Sequence, residues 1–302
     1  MAELLLGKGY EVHGIVKVGS DPSCCNIAEI ARLLTLHTID LSNHEAVDAL
    51  IAKLAPDEIY NLAAPSVVPA SWINPLETTE FMTKSVTVLL EAIVNHAPSA
   101  HLVQATSSEI FRGCTQSPQN EQTCPAPRSP YGVSKLFAHS LIGTYRHLHG
   151  LHASSAILYN HESPRRPLSF VTKKIANAAT QIKAGHATHL VLGDVSAQRD
   201  WGSAKDFINA LWLMANAPSA DDYVLATGVL HTVDDIVQIA FSHLGLDPQG
   251  LVKIDPTLVR KSDETLLVGD ASHAKQKLGW AATTSFETLI REMVDSELES
   301  FD

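Results

Sequence analysis

Through its first two thirds the sequence alternates short β-branched runs with longer amphipathic ones, a rhythm that suits a parallel sheet flanked by helices. Strands are expected at Tyr10–Lys17, Leu36–Ile39, Glu58–Leu62, His101–Ala105 and His152–Leu158. Between them, helical spacing of apolar residues covers Asn43–Leu54, Pro75–Asn95 and Pro130–Leu148. After Asn160 the rhythm changes. Helices are expected near Val171–Ala184, Ala204–Ala215, Thr232–His243, Ala271–Leu278 and Ser285–Leu298, with a strand at His189–Leu192. The fold class expected is therefore α/β, a doubly wound parallel sheet over 1–158 with a smaller lobe over 159–302, some of whose segments return to the sheet. No internal repeat or low-complexity linker interrupts it.

Composition removes several functional classes. With 22 Lys+Arg against 33 Asp+Glu, the 302-residue chain carries a formal net charge of −11, unsuited to general nucleic-acid or anionic-membrane binding. At 45% hydrophobic and 18% charged residues it is too apolar for intrinsic disorder. Cys24, Cys25, Cys114 and Cys124 form no C-x-x-C pair and are too few for a disulfide framework, so a reducing cytoplasm is expected. The opening Met1-Ala-Glu-Leu-Leu-Leu-Gly has no basic start, and no stretch approaches ~18 apolar residues, so neither export nor membrane insertion is expected. His147, His149, His152, His186 and His189 lie among polar residues without converging carboxylates or cysteines, and a solvated role, with no metal, is expected.

The beginning is unusual. Glu3–Leu6 reads as a helix that Gly7-Lys8-Gly9 ends just before the Tyr10 strand. A dinucleotide-binding sheet needs a strand and a phosphate-cradling glycine turn ahead of such a helix. Gly7, Gly9 and Gly14 cannot serve, because they end a helix and flank a strand. The first strand and its glycine loop are accordingly expected to lie outside this chain, through a truncated gene copy or a misplaced start, leaving a gap near the middle of a 3-2-1-4-5-6 sheet.

The chemistry concentrates in Gln104-Ala-Thr-Ser-Ser-Glu-Ile-Phe and Arg128-Ser-Pro-Tyr-Gly-Val-Ser-Lys. Ser129 can cap a helix that starts at Pro130, which sets Tyr131 and Lys135 four residues apart on one face. A lysine cation and a helix N-terminus both favour a phenolate, the base that hydride transfer from an alcohol requires. The Tyr-x-x-x-Lys spacing alone arises by chance in about one chain in four of this composition. Ser107 closes an expected strand and Glu109 stands two residues beyond, where loops leaving a parallel sheet present side chains to ligand. Taken alone they also read as a strand-end turn with a solvated carboxylate. Beside Tyr131, a hydroxyl that orients an alcohol and an acid that removes an adjacent carbon-bound proton specify oxidation followed by elimination.

These residues resemble the extended short-chain dehydrogenase/reductases and, within them, the GDP-mannose 4,6-dehydratase family. The likeness runs from Gly9-Tyr-Glu-Val-His-Gly-Ile-Val16 through Ile59-Tyr-Asn-Leu62 and Ser107-Ser-Glu109 to Lys275-Gln-Lys-Leu-Gly-Trp280. Asn160-His-Glu-Ser-Pro-Arg-Arg166 and Arg199-Asp-Trp-Gly-Ser-Ala-Lys-Asp206 are its most specific stretches. The resemblance implies a Rossmann-like sheet, NADP as cofactor, GDP-mannose as substrate and a homo-oligomer, dimer or tetramer. It places Ser107 where the family has a catalytic threonine, Glu109 as general base, and Tyr131 and Lys135 as the redox pair. It points to Asp40 and Leu41 beside adenine, to Leu62, Ala63, Ala64 and Ser66 along the cofactor, and to Lys135, His161 and Arg166 as further contacts. Leu62–Ala64 also reads as a buried strand end, and Arg166 as a surface charge. Asn160, Arg199 and Arg260 are the implied substrate contacts, the arginines as diphosphate clamps.

Three departures accompany the likeness. The glycine loop is one. Lys17-Val-Gly-Ser-Asp-Pro-Ser-Cys-Cys keeps one cation where the family has paired arginines, although no acid ends the strand to grasp an NAD ribose diol. Pro65, which replaces a glutamine, is the third. Separately, beside the implied clamp Arg260, Lys261 stands where the family usually has proline. Two other readings stay open: a nucleotide-sugar epimerase or reductase, which would not need Glu109 beside Ser107, and a noncatalytic remnant that binds a nucleotide sugar or a partner subunit.

Overall fold

A computed structural model describes residues 1–21, 26–258 and 265–299. The chain forms two compact units. The first comprises Met1–Ile110, Pro125–Ile157 and Ile208–Tyr223, the second Phe111–Cys124, Leu158–Phe207 and Val224–Asp302. In chain order the elements are α1 (Ala2–Gly7), β1 (His13–Val16), β2 (Thr35–Thr38), α2 (His44–Leu54), β3 (Glu58–Asn61), α3 (Ala70–Ile73), α4 (Pro75–His96), β4 (His101–Ala105), α5 (Pro130–His149) and β5 (Ala153–Leu158). There follow β6 (Asn160–Glu162), α6 (Val171–Lys183), β7 (Leu190–Leu192), β8 (Gln198–Ser203), α7 (Ala204–Ala215) and β9 (Asp222–Leu225). The last are β10 (Leu230–Thr232), α8 (Val233–His243), β11 (Val252–Ile254), α9 (Ser272–Leu278) and α10 (Phe286–Glu299).

Two helices of the first unit open on residues whose side chains cap them. Asn43 Oδ1 accepts the Ala46 amide to open α2, and Ser129 Oγ accepts the Gly132 amide at 3.0 Å to open α5. Pro75 and Pro130 occupy the first helical turn, where no amide hydrogen is needed. One apolar face of each then packs into a common core: Val47 and Ile51 of α2, Val86, Leu89, Leu90 and Ile93 of α4, and Ala138 and Ile142 of α5 close over Leu102 of β4. Each fully buried aliphatic side chain contributes roughly 1.5–3 kcal/mol relative to exposure.

The strands pair in two pieces. β1 and β2 form a parallel ribbon, while β3, β4 and β5 run parallel with β9 beyond them in a four-stranded sheet. The two pieces are joined by side chains: Tyr10, just before β1, donates to Glu58 Oε1 of β3 at 2.9 Å, and Trp212 Nε1 donates to the same phenol oxygen. In the order expected from sequence one strand separates β1 from β3, and among the described residues neither pairs with the other. α1 ends as read: Gly9 takes φ 84°, its amide donates to the Leu6 carbonyl, and the Tyr10 amide donates to Leu5. Leu5 packs inward, which stabilises a helix too short to persist alone.

In the second unit β8 lies between β6, parallel to it, and β10, antiparallel, while β7 pairs with β11. Ile175 and Ala179 of α6, Trp201 of β8, Ile236 and Phe241 of α8 and Leu289 and Met293 of α10 form its core. Gly269 is required there, because a Cβ would lie 2.4 Å from Ala226 Cβ and 2.8 Å from the Tyr159 ring. No helix among the described residues is long and apolar enough to cross a membrane.

Candidate active site

Parallel strands send their carboxyl ends to one edge, where ligands of open α/β sheets bind. β3 and β4 pair Asn61 with Gln104, so Leu62–Ser66 and Thr106–Glu109 leave the sheet side by side. Leu62 is 45% exposed and Ala63 and Ser66 are exposed, with Ala64 half-buried. The segment is thus an open strand end, contrary to its buried reading. Asn61 Oδ1 accepts the Ala63 amide at 3.3 Å and sets the path of this segment.

α5 brings Tyr131 and Lys135 to the same edge. Lys135 Nζ donates to the Ala105 carbonyl at 2.8 Å, at the end of β4, and lies 5.7 Å from the centre of the Tyr131 ring. Both side chains are buried. Ser107 and Glu109 occupy the turn that follows β4, half-buried, with the Glu109 amide donating to Ser107 Oγ at 3.3 Å. α5 can approach that turn because its second residue after Pro130 is glycine. A Cβ on Gly132 would fall 2.9 Å from the Glu109 carbonyl oxygen and 3.2 Å from Pro127 Cβ. Hydroxyl, carboxylate, phenol and amine therefore share one end of one unit.

Burial pulls the Lys135 amine from its ordinary range down to about 8, because a desolvated ammonium is less stable than a hydrated one. At neutral pH it still carries its charge. Beneath it lie two buried amides that sequence reading did not single out: Asn61 Nδ2 donates to Gln104 Oε1 at 2.7 Å, and Gln104 Nε2 donates to the Ala105 carbonyl at 3.0 Å. Their signal was available in principle, as carboxamides standing at the buried carboxyl ends of two neighbouring strands.

The remaining predicted residues fall elsewhere. Asp40 and Leu41 follow β2, at the carboxyl end of the separate ribbon. The Asp40 carboxylate accepts the Ser42 amide and hydroxyl, and these bonds, with the Lys84 and Lys17 cations, hold it below the usual carboxylate range. Asn160, His161, Arg166 and Arg199 belong to the second unit. Asn160 is the half-buried first residue of β6. His161 Nδ1 donates to the Tyr159 carbonyl, and its ring stacks on Phe207. Arg166 is no loose surface charge: its Nε lies 3.1 Å from the buried Glu162 carboxylate and its guanidinium 3.6 Å over Phe170. Arg199, on β8 opposite His231, donates from Nη1 to the Gln198 carbonyl. Arg260 lies outside the described residues. No group of three or more His, Cys, Asp and Glu side chains among the described residues could hold a metal ion.

Comparison with known proteins gives this arrangement a context. A family profile described as GDP-mannose 4,6 dehydratase matches residues 1–293. GDP-mannose 4,6 dehydratase 2 of Arabidopsis thaliana is 42% identical over 311 aligned positions, covering 99% of this chain and 83% of the relative. The GDP-mannose 4,6 dehydratase of Homo sapiens is 36% identical, covering 99% and 88%. Among solved structures, RMD from Pseudomonas aeruginosa complexed with NADPH superposes with a TM-score of 0.83 at 20% identity, covering 96% of this chain and 99% of that one. A UDP-glucose 4-epimerase from Thermotoga maritima, with UDP-glucose, gives a TM-score of 0.87 at 20% identity, covering 100% and 95%. At such identity the two structures bear on the fold alone, which is α/β and Rossmann-like.

Proposed function

The chain belongs to the GDP-mannose 4,6-dehydratase family, and on that premise we propose that it converts GDP-mannose into GDP-4-dehydro-6-deoxy-D-mannose with loss of one water, using NADP. The observation that carries this reading is the packing of the first turn of α5 against the Ser107–Glu109 turn, which gathers Tyr131, Lys135, Ser107 and Glu109 at one strand edge. NADP, when bound, supplies a hydride acceptor for C4 and a hydride donor for C6, so that it is regenerated in each turnover.

Three features of the chain suit that cofactor on its nicotinamide side: the buried Lys135 cation, the phenol beside it and the open Leu62–Ser66 segment. Lys17, next after β1, suits a 2′-phosphate better than a ribose diol, as no acid stands at that strand end. The Gly7–Gly9 turn caps α1 and is not assigned to the pyrophosphate. His161 and Arg166 toward the cofactor, and Asn160, Arg199 and Arg260 toward the GDP-sugar, remain part of the same proposal.

In this reading Tyr131, held as phenolate by the Lys135 cation, takes the proton of the C4 hydroxyl, which Ser107 orients by accepting or donating a hydrogen bond. The ketone formed at C4 acidifies C5. Glu109 removes the C5 proton and returns a proton to the departing C6 hydroxyl, which leaves as water. Left as a carboxylate, Glu109 takes a proton from solvent and delivers it to C5 as hydride returns to C6, and Tyr131 releases the C4 hydroxyl proton to solvent, so that both groups regain their starting states. The test is incubation of the protein with GDP-mannose and NADP. A 4-keto sugar nucleotide should form without net reduction of the cofactor; GDP-mannose binding with no product would instead identify a noncatalytic binder.

The reading includes self-association. Trp72 is 63% exposed, and Ile73 and Leu76 are each 77% exposed, at the junction of α3 and α4; Val133 and Phe137 are exposed on neighbouring α5. A stripe of this kind supports association between copies. Trp72→Glu with Leu76→Glu should convert an oligomer to monomer in sedimentation, and a wild-type monomer at micromolar concentration would refute the stripe's role. A cytoplasmic setting fits the thiol of Cys114, whose Sγ donates to the Cys124 carbonyl.

A further inference from the structure

We propose that Asn61 and Gln104 are positioning residues that tie the Leu62–Ser66 segment to Lys135 through a buried hydrogen-bond relay. The inference rests on the functional reading above and extends it to residues that touch neither substrate nor cofactor. The relay is continuous: the Ala63 amide donates to Asn61 Oδ1 (3.3 Å), Asn61 Nδ2 to Gln104 Oε1 (2.7 Å), and Gln104 Nε2 to the Ala105 carbonyl (3.0 Å), which also accepts Lys135 Nζ (2.8 Å). Asn61, Gln104 and Lys135 are all at least nine-tenths buried.

Each link is constrained by the next. Asn61 has its carbonyl oxygen taken by Ala63, so its amide nitrogen faces β4. That donor selects the carbonyl side of the Gln104 carboxamide, which leaves Gln104 Nε2 aimed at the Ala105 oxygen. The Ala105 carbonyl therefore holds an amide donor and an ammonium at once. Buried groups in this setting pay for any partner lost, because water does not replace it. The amide dipole also competes with the ammonium for the same oxygen, so the relay lowers the proton affinity of Lys135 in the same direction as burial, the cause that dominates. A shift of the Leu62–Ser66 segment is felt at Lys135 through two carboxamides.

Three variants test the relay. Gln104→Met removes the donor with little change of volume and should raise the Lys135 titration point by about half a unit. Gln104→Glu, which keeps an acceptor for Asn61 but adds a carboxylate near the amine, should raise it by about one unit or more. Asn61→Leu makes no contact with Lys135, yet should move it in the same direction by releasing the Gln104 amide. Titration is read by NMR on lysine-labelled protein without ligand, the Lys135 signal being identified by its loss in Lys135→Met. With turnover as the second readout, Gln104→Met should lower kcat about tenfold while KM for GDP-mannose changes less than about threefold.

A folded variant set in which Lys135 titrates as in wild type, whatever happens to thermal stability, overturns the proposal and leaves the two amides as packing. Should the variants not fold, wild-type Gln104 decides: its carboxamide protons must exchange with solvent far more slowly than those of exposed glutamines, and rapid exchange overturns the relay. Absence of turnover in wild type would contradict the dehydratase reading, while the titration would still decide the relay.

Discussion

Lys135→Met should leave a folded protein whose turnover of GDP-mannose falls by about three orders of magnitude, the range expected if Tyr131 is the general base proposed above and loses the cation that sustains it. The side chain is 4% exposed, and methionine fills the space of its aliphatic stem. The Ala105 carbonyl keeps Gln104 Nε2, so no buried acceptor is stranded. Stability should not suffer. A lysine brought down to about 8 on folding from an ordinary value near 10.4 costs the folded state up to about 3 kcal/mol while the amine is charged in both states. That cost is full below pH 8, fades between about 8 and 10.4, and is absent above. Lys135→Met should therefore melt at or above the wild-type temperature at pH 7, and the difference should shrink as pH rises. In the wild type, turnover that depends on the charged amine should decline on the basic side through about pH 8. A variant within tenfold of wild-type turnover would remove Lys135 from its role.

Glu109→Gln is the second large effect. The substitution keeps the size and the backbone bond to Ser107 Oγ while deleting the proposed base. Binding of GDP-mannose should stay within about threefold, and product formation should fall at least about a thousandfold. In deuterated water the wild-type product should carry solvent deuterium at C5, and the variant should yield none. Turnover near wild type, or C5 exchange that persists, would transfer the base to another group. An epimerase or reductase working from Tyr131 and Lys135 alone would be indifferent to the substitution, so this variant separates the classes.

Both effects concern residues that sequence already singled out, and the reason is physical. α4 and α5 are long, each starts with a proline in its first turn, and their apolar periodicity repeats over five or six turns. Their observed spans, Pro75–His96 and Pro130–His149, fall within a residue of those expected. The Tyr131–Lys135 relation follows from helix geometry alone. β6, β8 and β10 were missed because Asn-His-Glu, Gln-Arg-Asp-Trp-Gly-Ser and Leu-His-Thr lack alternation and owe their pairing to neighbours distant in sequence. Likewise the strand expected at Tyr10–Lys17 shortens to His13–Val16, since Gly9 and Tyr10 are engaged in ending α1. The partition of the chain shows the same limit: Ile208–Tyr223 joins the first unit and Phe111–Cys124 the second, contacts that periodicity does not encode. Arg166 illustrates it at one residue, since its partners Glu162 and Phe170 are local in sequence yet their pairing needs the turn between β6 and α6.

In the proposed reaction one site oxidises C4, eliminates water across C5 and C6, and reduces C6 with the same hydride. GDP-mannose deuterated at C4 tests it most directly. The product should carry that deuterium at C6, within the same sugar, with unlabelled NADP and no reduced cofactor accumulating. Deuterium washed into solvent, retained at C4, or left on the nicotinamide in stoichiometric amount would contradict it.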